Sequence, residues 1–156
     1  MVRVVCDLGL AECGDDAGVM SEYALPIPEA DEESRQFFDG ARRHELMLMR
    51  CTSCGAWRLP SRPRCPDCWS TDTEWAKASG RGTLYSFGIM HQKLHPAFAE
   101  RTPYQFAIVE LDEGPRIVSN VVDVDDDVLR VEMPLRAVFD DVSDDVTLVR
   151  FTSAAK

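Results

Sequence analysis

The 156-residue sequence has no apolar run approaching the roughly 20 residues that a membrane-spanning helix needs, so no such helix is expected. It opens "MVRVVCDLGLAECGDDAGVM", with one Arg and four acids among the first twenty residues. A secretory signal needs a basic start and a longer apolar block, so a cytoplasmic protein is expected. No G-x-S-x-G, H-E-x-x-H or phosphate-loop motif occurs, and no nucleophile has an evident base. Histidine is scarce, with three in all. His91 and His95 in "HQKLH" could share a metal on a helix, but Pro96 and the loop-like composition around them argue against one. The acidic runs "DVDDD" and "DDVSDD" lack the central Gly and terminal Glu of a calcium loop and read as solvated turns. The sequence does not read as that of a self-sufficient enzyme.

What is present is a normal apolar content, 45%, enough for one ordinary domain or two small ones sharing a core. The formal charge of −10 is uneven. Residues 1–40 carry 2 basic and 10 acidic side chains, residues 41–82 carry 8 and 4, and residues 83–156 carry 7 and 13. A segment of net +4 thus lies between acidic flanks. The Gly- and Asp-rich start, with Cys6 and Cys13, reads as a disordered leader over residues 1–21. The organisation expected beyond it is a helix and leading-in strand over 22–48, a metal ribbon over 49–79, a barrel over 80–152 and a tail over 153–156.

"EADEESRQFFDGARRHE" predicts a helix with Asp31 as N-cap, Glu32 and Glu33 in the first turn, and Arg42 and Arg43 in the last. Gly40 weakens its middle by about 1 kcal/mol. "ELMLMRC" alternates Leu46 and Leu48 against Met47 and Met49, a strand pattern. After a Gly80-Arg81-Gly82 turn, "TLYSFGIM" places Tyr85, Phe87 and Ile89 on one face of a strand. "YQFAIVEL", "RIVSNVVDV", "LRAVF" and "DDVTLVRF" supply four more strands separated by turns. Five short strands without a convincing helix predict a small closed or partly open β-barrel. Tyr85, Phe87, Tyr104 and Phe106 could form a base-stacking platform, though core or interface packing explains them better.

The informative stretch is "CTSCGAWRLPSRPRCPDC". Each Cys-x-x-Cys is a knuckle that turns two thiolates and several backbone N–H groups toward one ion, so Cys51, Cys54, Cys65 and Cys68 supply a complete tetrahedron. A full set of four leaves no open position, which makes a structural zinc ion the expected occupant. Iron in a rubredoxin-like electron carrier and a dithiol redox site remain alternatives. Gly55 follows the first knuckle, and Trp69 stands in the equivalent place after the second. Arg50, Arg58, Arg62 and Arg64 surround the quartet, and read as an offset to the charge of −2 on a zinc–thiolate cage, as an anion site or as solvated surface.

Taken in order, "FFDG", "LMLMRCTSCGAWRLPSRPRCPDC", "SGRGTLYSF" and "PYQFAIVELDEGPRIVSNVV" resemble the DUF35 family over about residues 22–152. One departure is "VEMP", where family members often have Gly-Met. The resemblance implies a mainly β fold: an N-terminal helix, a rubredoxin-like zinc ribbon and a C-terminal five-stranded OB-fold barrel. It also implies a non-catalytic accessory subunit that assembles with a thiolase-like enzyme, which carries the catalytic residues and makes or breaks carbon–carbon bonds in acyl-CoA thioesters. In that setting Arg62 and Arg64 are the expected contacts to the CoA phosphates, since Arg suits phosphate oxygens. A single-stranded nucleic-acid-binding module is the alternative, because zinc ribbons and OB-folds both serve that role. The net −6 of the barrel segment argues against it.

Overall fold

The structure, a computed structural model, describes residues 25–59, 62–93 and 95–154. The expected leader lies outside them. Helix α1 runs over Arg35–Arg42, shorter than the pattern predicts, with Ser34 rather than Asp31 at the N-cap. The cause is local. The Asp31 carboxylate accepts hydrogen bonds from both the backbone N–H and the hydroxyl of Ser34, and the Ser34 hydroxyl accepts from the Asp31 N–H. That reciprocal pairing closes a turn that holds Glu32 and Glu33, so both precede α1. Gly40 is there for space: a Cβ on it would run into the Met47 side chain.

The helix ends where His44 takes a left-handed φ of 57°. Its ring stacks on Phe139 with centroids 5.2 Å apart, and Nε2 lies 3.2 Å from the Asp141 carboxylate. A hydrogen bond from Thr147, and then His44, hold the Asp141 carboxyl below its usual range. The helix end is thereby pinned to the barrel.

Strand β1 (Met47–Cys51) lies at the centre of a three-stranded antiparallel sheet, between β2 (Trp57–Arg58) and β3 (Thr73–Lys77). Leu46 and Leu48 are buried, as the alternation predicts. A five-stranded sheet follows, of β4 (Arg81–Met90), β5 (Tyr104–Leu111), β6 (Arg116–Ser119), β7 (Pro134–Asp141) and β8 (Thr147–Ser153), in the order β6-β5-β4-β7-β8. The open side is drawn in by a parallel bridge between Val121 and Phe151 and by a hydrogen bond from Val122 N to Phe151 O of 2.7 Å. The expected five strands of an OB-fold are all present. One core serves the whole molecule: Ala41, Leu48 and Ala78 belong to the same buried cluster as Leu84, Val109 and Phe151.

Two local features differ from the expected alternation. A β-bulge between Leu84 and Ser86 makes Tyr85 an extra residue. Leu84 therefore faces the core opposite Val109, Phe87 faces it opposite Ala107, and Tyr85 is left exposed. Tyr85 and Phe87 do not share a face. Against the bulge lies "VEMP": Glu132 N donates to Leu84 O, and Leu84 N to Met133 O. Glu132 has φ 68°, a conformation that favours glycine, which gives the departure at this position its physical meaning. Glu132→Gly is expected to relieve roughly 1 kcal/mol of backbone strain, partly offset by the greater freedom of an unfolded glycine. A clearly lower thermal midpoint in that variant would contradict the assignment.

Candidate metal centre

The tip of the ribbon is built from two near-identical turns. Gly55 N donates to Cys51 O at 2.9 Å, and Trp69 N donates to Cys65 O at 2.9 Å. Likewise Cys51 N donates to Ala56 O, and Cys65 N to Ser70 O. Gly55 has φ 80° and Trp69 φ 63°, so Trp69 adopts the left-handed conformation that its position demands. Both knuckles keep the same geometry, at the cost of strain in the second.

The four sulfurs lie within 4.8 Å of one another, with Cys51 to Cys68 and Cys54 to Cys65 each at 3.6 Å. A tetrahedral ion with bonds of about 2.3 Å to sulfur sets its ligands about 3.8 Å apart, so the cage fits one such ion. Cys51 and Cys65 are buried and Cys54 and Cys68 exposed, one of each from each knuckle. The backbone N–H groups of Cys54 and Ser53 point at the Cys51 sulfur and hold its pKa at about 6 against burial. Cys65 is lowered in the same way by Cys68 and Asp67 N–H groups. At Cys54 the Ala56 N–H acts downward, but Cys68, burial, Cys65 and Cys51 together push it up to about 12. Four sulfurs this close resist holding four negative charges unaided, and a divalent cation removes the conflict. Among the described residues this is the one group of His, Cys, Asp or Glu placed to hold a metal ion. His95 is used otherwise: its Nδ1 accepts from Ala97 N at 3.1 Å.

The four neighbouring arginines have separate fates. Arg50 lies 3.9 Å from Glu74 and over the Trp57 ring. Arg64 is exposed and donates to Trp69 O at 3.4 Å, and Arg62 is exposed. Arg58 is buried: Nη2 donates to Arg62 O at 3.1 Å, while Nε and Nη1 have no hydrogen-bond partner. Its burial has no signal in the sequence, where an Arg inside a basic stretch reads as surface.

Outward-facing side chains on β4, β5 and β6 form a second feature. Tyr85, Phe106 and Val118 are exposed there, with the Arg116 guanidinium 3.4 Å above the Tyr85 ring and 2.7 Å from Glu110. An open groove of about 420 Å³ adjoins them, between Phe37, Leu59, Trp75 and Ile117.

Two family models match this chain: the ChsH2 rubredoxin-like zinc ribbon domain over residues 38–74 and the ChsH2 C-terminal OB-fold domain over residues 75–140. A DUF35 domain-containing scaffold protein of Methanocaldococcus jannaschii is 36% identical over 104 residues, 66% of this chain and 73% of that protein. The chain belongs to the DUF35 family. A probable enoyl-CoA hydratase alpha subunit of Thermomonospora curvata is 35% identical over 129 residues, 83% of this chain. The DUF35 chain spans only 40% of that relative's length. The benzoylsuccinyl-CoA thiolase subunit BbsA of Thauera aromatica is 35% identical over 72 residues, 46% of this chain and 48% of that one. A solved structure described as the Ltp2-ChsH2(DUF35) aldolase contains a chain with TM-score 0.74 and 34% identity, covering 83% of this chain and 100% of that one.

Proposed function

We propose that this chain is a non-catalytic accessory subunit that assembles with a thiolase-like enzyme acting on acyl-CoA thioesters, in the cytoplasm, and that Cys51, Cys54, Cys65 and Cys68 hold a structural zinc ion. The observation that carries the reading is the complete four-sulfur cage on a fold shared with a chain of the Ltp2-ChsH2(DUF35) aldolase. Two relatives bear names tied to CoA thioesters, a hydratase subunit and a thiolase subunit, which supports a CoA-dependent partner. The His44–Asp141 pair serves structure, since the ring is committed to Phe139. Zinc cross-links the two knuckles.

Coexpression with a thiolase-like protein of the same organism tests this: a stable hetero-oligomer with one zinc per accessory chain is expected. No complex, together with a partner fully active by itself, would end the proposal. Arg62 and Arg64 are assigned to the CoA phosphates. Charge reversal at both is expected to raise the KM for a CoA thioester without loss of zinc or fold. Unchanged kinetics would remove them from the site.

A further inference from the structure

The barrel is closed along only part of the outer edge that begins with β6. Leu111 N donates to Pro115 O at 2.9 Å, and the same alternation makes Val109–Ile117 and Ala107–Ser119 the hydrogen-bonded pairs of β5 and β6. The N–H and C=O groups of Arg116 and Val118 therefore point off the sheet. Further along, that edge is used: Phe151 N donates to Asn120 O at 3.0 Å, and Val122 N to Phe151 O at 2.7 Å. At Arg116 and Val118 it is not, since among the described residues β6 has β5 as its one strand neighbour and no other backbone group bonds to these two.

The groove of about 420 Å³ meets this open stretch. Side chains of consecutive strand residues point to opposite faces, so a groove lined by Arg116, Ile117 and Val118 together reaches β6 along its edge. Apolar Phe37, Leu59 and Trp75 line the same groove. Asp31 lines it too. Hydrogen bonds from Ser34 hold the Asp31 carboxyl below its usual range, and among the described residues no cation pairs with it.

We propose that an extended segment of a partner protein adds to the free edge of β6 as a further strand, with alternate apolar side chains in the groove and a Lys or Arg facing Asp31. The unpaired groups select that occupant. Two N–H and two C=O groups, set one strand repeat apart, are matched by another peptide backbone. An acyl chain would fill the apolar part of the groove and leave all four unmatched. A nucleic acid would bring its phosphates against Asp31. The proposal rests on the accessory-subunit reading for the identity of the partner, a thiolase-like subunit.

Val118→Pro removes one outward donor and no bond of the β5–β6 ladder, a position where an edge strand accepts proline. The variant should keep one zinc per chain. Its Kd for the coexpressed partner, measured by titration calorimetry without CoA, should rise about 10-fold or more. Val118→Ala keeps the N–H and should bind far more tightly than Val118→Pro. In the wild-type chain, hydrogen exchange at the Arg116 and Val118 amides should slow when the partner is added. Where Val118→Pro disturbs the fold, that exchange result decides. If the wild type binds no such partner, the accessory-subunit reading falls and takes the added strand with it. If it binds while the two amides stay unprotected, or while Val118→Pro binds as well as wild type or no worse than Val118→Ala, the added strand alone is wrong. Protection that rises with the concentration of the free chain overturns it in favour of a second copy, and protection by a CoA thioester alone overturns it in favour of a small ligand.

Discussion

Replacing Cys51 with Ser is expected to empty the cage and melt the ribbon while the barrel stands. The Cys51 sulfur is buried and is the target of two backbone N–H groups, so its loss leaves both donors and three thiols without their common ion. The ribbon cannot compensate. Among the described residues between β2 and β3, Cys65 is the one buried apolar side chain. For so small a module metal binding is folding free energy, on the order of 10–16 kcal/mol for structural zinc. Elemental analysis should find well under one zinc per chain. Two-dimensional NMR should show resonances of residues 49–75 collapsing while those of β4 to β8 persist. Full zinc occupancy and an intact ribbon in this variant would refute the assignment of Cys51 as a ligand.

Phe151→Ala should be the most damaging single change in the barrel, lowering stability by about 3–5 kcal/mol. The side chain is wholly buried in the shared core, and the backbone of the same residue closes the sheet against residues 120–122. Domains of this size are stable by about 5–15 kcal/mol, so the variant is expected to sit near the edge of folding. Because the core also contains Ala41, Leu48 and Ala78, α1 and the base of β1 should loosen with it. Val118→Ala, on the exposed outer face, makes the control, with a change within about 0.5 kcal/mol. Denaturant titration of both variants decides the matter. A cost below about 1 kcal/mol for Phe151→Ala would mean that the core is not organised around it.

The sequence was legible where chemistry repeats at fixed spacing. Two Cys-x-x-Cys pairs admit few geometries, and the four sulfurs do converge. Five alternating segments also became five strands. Legibility failed where one residue changes the count. A period-two reading of "TLYSFGIM" has no means of sensing that Tyr85 is inserted as a bulge, because the bulge is fixed by the opposing Glu132 turn almost fifty residues away. At the start of α1, Asp31 and Ser34 are both good caps, and only their mutual hydrogen bonds decide which one begins the helix. Arg58 went inside for tertiary reasons that local composition does not carry.

Met47 and Lys77 lie directly opposite each other where β1 leaves and β3 rejoins the rest of the molecule, as do Met49 and Trp75 two residues further out. The cysteine-bearing tip is thus a cassette whose two ends stand a single inter-strand spacing apart, about 5 Å. Leu48 at its base belongs to the core shared with the barrel, and Trp57 and Leu59 pack against that core, so a change at this joint is felt on both sides of it.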